Sequence, residues 1–92
     1  MLNVNTTFYF GRNDADNYAV PFHSHKCYEL VYYFSGNGYC RIENKKYEYA
    51  ENHCVIIPPD LSHNDVHKTA CSLSCLGFTL EDKDFQIGRA HV

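Results

Sequence analysis

The sequence predicts an all-β domain, a sandwich or a barrel, and three observations carry that expectation. Short runs rich in Val, Ile, Tyr, Phe and Thr alternate with clusters of Gly, Asn, Asp and Pro. No stretch sustains the 3.6-residue apolar period of an amphipathic helix. The chain has 92 residues, 45% of them hydrophobic and 15% aromatic, which is enough for one core and too short for two. These 92 residues leave no room for a multidomain enzyme, or for a regulator that carries separate sensor and DNA-binding domains. Six Phe and eight Tyr argue against disorder. A core of this size is marginal, so support from a metal or a second subunit is expected.

Taken in order, residues 6–10 form a β-rich run, and Gly11 to Asn17 is polar and turn-like. From Pro21 a long β stretch runs to Phe34. Ser35-Gly36-Asn37-Gly38 is a strong turn, because Gly and Asn tolerate positive φ. Tyr39–Glu43 and Lys46–Tyr49 flank a tight turn at Glu43-Asn44-Lys45 and form a hairpin with one wet face. After a turn at residues 50–53, Cys54–Ile57 is a short apolar strand ended by Pro58-Pro59-Asp60. Strands over 62–67 and 71–80 complete the set. Glu81–Asp84 has the look of a helix start, and the tail from Phe85 lacks a cap or stop signal. The expected organisation is an N-terminal arm with the first strand (1–20), a barrel core (21–80), and a tail (81–92) that leads toward further sequence.

The net charge is −3, and no cluster of Lys or Arg is present, so these residues are a poor grip for phosphates. The longest apolar runs, Leu30–Phe34 and Cys54–Pro59, are too short to span a bilayer. Asn3, Asn5, Thr6 and Thr7 make no secretion signal, which leads us to expect a cytoplasmic protein without membrane partners. The five cysteines, Cys27, Cys40, Cys54, Cys71 and Cys75, are odd in number and include no CxxC. Reduced thiols packed as small apolar residues follow. Cys71 and Cys75 share a parity and face one side of their strand.

The chemistry is concentrated in Pro21-Phe22-His23-Ser24-His25-Lys26-Cys27-Tyr28-Glu29. In an extended chain His23, His25 and Glu29 share one face. Imidazole nitrogens and a carboxylate form a good ligand set for divalent transition metals. A further imidazole, His63, follows the Pro-Pro-Asp turn. Without a metal, Glu29 facing inward needs a protonated His or a polar ligand as partner. Ser24 points away from the two His residues, and no Gly-x-Ser-x-Gly elbow or phosphate loop is present, so a nucleophilic enzyme is poorly supported.

His23-x-His25-x3-Glu29-x6-Gly36 resembles the first cupin motif. The second motif is matched in part by Pro58 and His63, with Asn52 and Asp60 where glycines are usual and His67 where an asparagine is usual. Asn and Asp tolerate left-handed backbone, so those departures are mild. Within the cupins, His23-Ser24-His25, Tyr28-Glu29-Leu30-Val31-Tyr32, Lys45-Lys46-Tyr47 and Ile56-Ile57-Pro58-Pro59 with His63 are most similar to the N-terminal sensor domain of AraC-type transcription regulators. The resemblance implies a small cupin barrel (a double-stranded β-helix, or jelly roll). It also implies a small-molecule effector, such as a sugar, and a homodimer. DNA would be reached only through a C-terminal helix-turn-helix part that these residues do not include. Carried over by position, His23, His25, Glu29 and His63 are the metal ligands, for Zn, Fe, Mn or Ni. In sensors that have lost the metal, the same positions serve hydrogen bonding or effector contact.

The remaining candidates are assigned to the pocket or to packing. Tyr33 and Tyr39 are the tyrosines assigned to effector stacking. Cys27 shares the parity of the His pair and is either a pocket residue or a core thiol. His53 and His67 read as surface or turn residues, with His67 also a candidate to back the metal ligands. His91 belongs to the tail. The favoured reading is a binding module rather than an enzyme. The alternatives are a stand-alone metal cupin enzyme, such as a dioxygenase or sugar isomerase, and a metal-holding storage or structural module.

Overall fold

A computed structural model describes residues 3–81, and within them two four-stranded antiparallel sheets face each other. The strands are β1 (Val4–Asp14), β2 (Tyr18–His23), β3 (Tyr28–Ser35), β4 (Gly38–Ile42), β5 (Lys45–Tyr49), β6 (His53–Ile57), β7 (His63–His67) and β8 (Cys71–Leu80). One sheet has the order β1-β8-β3-β6 and the other β2-β7-β4-β5. The fold is the all-β jelly roll expected of a small cupin. The expected helix start at Glu81–Asp84 and the tail with His91 fall almost wholly outside the described residues.

Two expectations for the first third of the chain are corrected. Only the end of the stretch Gly11 to Asn17 is a turn: β1 continues through Gly11 to Asp14 and pairs with β8 down to Asp14↔Cys71, and the turn is confined to Asp16 and Asn17, where Asn17 has φ of 55°. Backbone pairing to β8 outweighs the poor β propensity of Gly, Asn and Asp there. Nor is Pro21–Phe34 one strand. It breaks after His23 and resumes at Tyr28, with β2 in one sheet and β3 in the other. Residues 24–27 cross between the sheets beside the β6–β7 connection. There the Asp60 amide donates to the His25 carbonyl at 2.8 Å, and Lys26 Nζ lies 2.8 Å from Asp60 Oδ1.

The core lies between the two inner faces and follows strand alternation. Val31 and Tyr33 on β3, Val55 and Ile57 on β6, and Cys71, Leu73 and Cys75 on β8 meet Cys40, Ile42 and Tyr49 from the opposite sheet. Four cysteines are buried and Cys54 alone is exposed; all are free thiols. Burial pushes the Cys40 and Cys75 thiols up to about 12, so both stay protonated and behave as small apolar side chains.

Left-handed backbone marks the tight connections. Asn52 and Asp60, the two residues standing at glycine positions of the motif, have φ of 63° and 70°. Gly36 has φ of +91°, and a side chain there would also press on the Ala70 carbonyl. Gly77 is required for a different reason. It is paired with Phe8 across β1 and β8, and a Cβ at Gly77 would overlap the Phe8 ring. That empty position lets Phe8 lie flat against the sheet, with its ring centroid 5.6 Å from that of His25.

Gly77→Val is therefore expected to displace Phe8 and destabilise the domain by about 1–3 kcal/mol, the usual cost of overpacking. Urea unfolding followed by tyrosine fluorescence measures this, with the exposed Thr79→Val as the control that shows little change.

Candidate metal centre and ligand pocket

His23 is the last residue of β2, His25 lies in the crossing segment, Glu29 is on β3 and His63 opens β7. His23 and His63 come from one sheet, Glu29 from the other, and His25 from the segment that joins them. β2 and β7 set His23 opposite His63 in register, and the crossing segment brings His25 over them. The candidate ligand atoms of all four lie within 4.8 Å of one another. Ring centroids are 4.3 Å apart for His23 and His63, and 4.8 Å for His23 and His25. Glu29 Oε1 is 3.1 Å from His63 Nε2 and 3.8 Å from His25 Nε2. The expected ligand set is thus brought together, although His23 and His25 do not sit on one continuous strand.

Backbone carbonyls fix the ring orientations. His23 Nδ1 lies 2.8 Å from the Pro21 carbonyl, and His63 Nδ1 lies 2.8 Å from the Leu61 carbonyl. A carbonyl only accepts, so each Nδ1 carries the hydrogen. The Nε2 of each ring is left to face the cluster, which is the tautomer a metal ligand needs. His63 Nε2 then confronts a carboxylate oxygen that is also only an acceptor when ionised. A cation must lie between them, either a proton on Nε2 or a metal ion. The donor set of three imidazoles and one carboxylate fits a divalent transition metal, and these four residues are the ones that would hold it.

Burial and charge compete at each group. Burial alone pushes Glu29 up, but the hydrogen bond and charge of His63, then the charges of His25 and His23, outweigh it and hold the carboxyl below its ordinary value. Burial pulls His63 down, yet its bonds to Glu29 and Leu61 leave it raised. His25 is lowered, chiefly by burial, with Glu29 opposing and the other two imidazoles adding to the depression.

A cavity of about 240 Å³ opens from this cluster. Its wall is apolar over Phe8, Phe10, Val20, Val31, Ile57 and Cys75. Phe8 and Phe10 stack at 5.7 Å between centroids. The polar lining beyond the four clustered residues consists of Arg12, Asn64 and Asp65. Sequence reasoning missed Arg12 and Asp14 because Gly11 was taken to end the strand. The signal was present: Phe8, Phe10, Arg12 and Asp14 share one parity.

Beneath the cavity lies a second polar cluster. Asp14 Oδ2 accepts from Arg12 Nε at 2.7 Å and from His67 Nε2 at 2.8 Å, while His67 Nδ1 bonds the Tyr49 hydroxyl. His67 is 0% exposed, which corrects its assignment to a surface or turn position. It shares parity with His63 and Asp65 on β7 and so faces inward. It does not line the cavity. Tyr33 is buried too, its ring stacked on Tyr49 at 3.7 Å and its hydroxyl donating to Asp65 Oδ1 at 2.8 Å. Tyr33 therefore packs behind the pocket wall rather than in it. Tyr39 alternates with the inward Cys40 and lies outside, with Lys46 Nζ 4.3 Å from its ring centroid. Cys27 is buried but does not line the cavity, as a core thiol would be. His53 is exposed as expected, its Nδ1 accepting from the Ala50 amide at 3.1 Å.

The family model for the AraC-like ligand binding domain matches residues 5–84. The chain belongs to this family. A search of curated protein sequences found no match. Among solved structures, a conserved protein of unknown function from Streptococcus pyogenes superposes with a TM-score of 0.76 at 16% identity, covering 89% of this chain and 77% of that one. A cupin superfamily protein from Desulfitobacterium hafniense DCB-2 gives 0.74 at 10% identity, over 86% and 78% of the two chains. A salicylate 1,2-dioxygenase from Pseudaminobacter salicylatoxidans gives 0.70 at 7% identity, over 82% of this chain but only 24% of that one. At these identities the likeness establishes the cupin fold of this AraC-like domain. No helix among the described residues is long and apolar enough to cross a membrane.

Two predictions follow from the buried groups. The raised His63 contributes stability that is full below the ordinary imidazole value of about 6.5 and is lost as pH rises through its raised value. The lowered Glu29 contributes stability that is present above about 4.3 and is lost as pH falls through its lowered value. The Glu29–His63 pair is therefore expected to contribute most to the thermal midpoint of the metal-free domain between about pH 4.5 and 6.5. Glu29→Gln should flatten the decline on the alkaline side, which a melting series across pH would show. Separately, His67→Phe strips Asp14 and Tyr49 of a buried partner and should cost about 3 kcal/mol in urea unfolding, against under about 1 for His53→Ala.

Proposed function

We propose that this AraC-like domain is the effector-sensing part of a transcription regulator, in which a small molecule enters the barrel and lies against a metal held by His23, His25, Glu29 and His63. The observation that carries the reading is the joining of two features in one cavity: a convergent four-residue ligand set at one end and an apolar wall at the other. When bound, a divalent metal (Zn, Fe, Mn or Ni) supplies a fixed positive charge with open positions for a ligand oxygen. The chain's own residues do the rest. Pro21 and Leu61 carbonyls aim the imidazoles, and Phe8 and Phe10 supply stacked apolar wall.

Sensing would act by population shift. An effector that binds one arrangement of barrel and partner surfaces more tightly biases the protein toward it, and so changes how helix-turn-helix units elsewhere in a longer chain meet DNA. A homodimer in the cytoplasm suits this role. The outer face of the β1-β8-β3-β6 sheet supports it, with the stacked Tyr28 and Phe78 rings and the neighbouring Tyr32 and Phe34.

The second reading is a stand-alone metal cupin enzyme, a dioxygenase or a sugar isomerase. The intact ligand set favours it, and one structural neighbour is a salicylate 1,2-dioxygenase. Oxygen uptake by the iron-loaded protein with an aromatic acid, or aldose–ketose conversion by the loaded protein, would support the enzyme over the sensor.

Protein purified without a metal-affinity column is expected to carry about one equivalent of transition metal, and His25→Ala to lower metal affinity on the order of 100-fold or more. Elemental analysis and competition with a chromogenic chelator check this. A wild-type protein with no metal, together with unchanged affinity in His25→Ala, rejects the metal-assisted reading.

A further inference from the structure

We propose that the cavity is built for a small carboxylic acid with an aromatic or branched apolar body, and that Arg12 is the residue that holds its carboxylate. The inference rests on the reading of the barrel as a small-molecule site and names the chemistry of what it takes.

The argument starts from the polar groups the cavity offers. Outside the four clustered residues, only Arg12, Asn64 and Asp65 line it with polar side chains. Asn64 Oδ1 already accepts from the Arg41 amide at 3.1 Å. Asp65 Oδ1 already accepts from the Tyr33 hydroxyl at 2.8 Å. Arg12 is different. Among the described residues its hydrogen bonding consists of one contact, Nε to Asp14 Oδ2 at 2.7 Å. The guanidinium carries five N–H donors, so the four on its terminal nitrogens have no protein acceptor there. The Asp14 side chain is 6% exposed and that of Arg12 is 31% exposed, so Asp14 anchors the arginine from below while the arginine reaches into the cavity.

That anchoring is itself firm. The same Asp14 Oδ2 also accepts from the fully buried His67, which in turn is tied to Tyr49. Arg12 Nε is thus tethered before any ligand arrives, which reduces the entropy lost on binding. With Nε taken by Asp14, the Nη1/Nη2 edge of the guanidinium remains unoccupied among the described residues and matches a carboxylate bidentately.

The rest of the wall selects against a sugar. A sugar ring presents hydroxyls on every side and needs several donors and acceptors to replace water. Phe8, Phe10, Val20, Val31 and Ile57 offer none. An aromatic ring satisfies that wall and can stack on the Phe pair, whose centroids lie 5.7 Å apart. Size agrees as well. A dry apolar cavity of about 150 Å³ accommodates benzene, and 240 Å³ leaves room for a ring and one carboxylate.

The test is calorimetric titration of the whole protein with benzoate, its neutral isostere benzamide, benzyl alcohol and L-arabinose, in chelator-treated and zinc-loaded forms. In the chelator-treated form, wild-type protein is expected to bind benzoate at least about tenfold more tightly than benzamide, in line with a charge-assisted bidentate pair. In that form Arg12→Gln is expected to bring benzoate to the level of benzamide. Arg12→Lys keeps the charge and loses the fork, so it should retain only part of the gap, and it serves as the informative variant if Arg12→Gln folds poorly. Equal binding of benzoate and benzamide by the wild type overturns the proposal while leaving the barrel as a small-molecule site. So does binding of L-arabinose in preference to the aromatic probes. A full benzoate preference that survives in Arg12→Gln or in Arg12→Lys overturns the role given to Arg12. Silence of all four probes in both forms overturns this proposal and the small-molecule reading together.

Discussion

The constraint on which this domain depends is the meeting of two acceptors, Glu29 Oε1 and His63 Nε2, 3.1 Å apart in a buried setting. Because Nδ1 of His63 is committed to the Leu61 carbonyl, the ring cannot turn to offer a different edge. Something positive must therefore reside between imidazole and carboxylate. An unpaired buried carboxylate is too costly for a small core to carry. A proton satisfies the pair alone, and a divalent ion satisfies it together with His23 and His25. Stability and metal affinity are thus two expressions of one electrostatic requirement.

The jelly roll serves this requirement through its connections as much as through its strands. His23 and His63 are set opposite each other by the pairing of β2 with β7, whereas Glu29 comes from the other sheet. His25 belongs to neither sheet. It is placed by the crossing segment, which the Asp60 amide ties to the β6–β7 connection. Asp60 makes that tie from a left-handed conformation, so a single unusual φ helps to position His25 on a different part of the chain. Gly77 plays a comparable part by leaving space for Phe8, which then borders both His25 and the cavity. The lower polar cluster of Arg12, Asp14, His67 and Tyr49 fixes the opposite end of the barrel, so the cavity is bounded by organised charge on one side and aromatic surface on the other.

Much of this was legible in the residues. The strands from Tyr39 onward follow their alternation and turn chemistry, and their observed limits fall within one or two residues of those expected. The motif spacing placed His23, His25, Glu29 and His63 together, and Asn52 and Asp60 have the left-handed backbone their positions implied. What was illegible depended on long-range pairing. Gly11 and Asn13 look like turn residues until β8 lies beside them, and only then do Arg12 and Asp14 become inward-facing. The break between His23 and Tyr28 has no local Gly or Pro to announce it, because the change of sheet is imposed by tertiary packing. His67 was misjudged since a histidine near a polar Lys-Thr turn reads as exposed, and its burial is stabilised by Asp14, which lies 53 residues away in sequence. Tyr39 is turned outward by strand parity, whereas Tyr33 faces inward with Val31 and Glu29 but is taken up by stacking on Tyr49.

Proton release on metal binding tests the central claim most directly. Zinc chloride is titrated into metal-free protein at about pH 6, in several buffers that differ in ionisation enthalpy. If a shared cation holds Glu29 and His63 together, each bound ion displaces about one proton, seen as a linear dependence of the observed heat on buffer enthalpy. Stoichiometric zinc binding whose heat is independent of the buffer would mean that no proton occupied the pair beforehand, and would contradict the account.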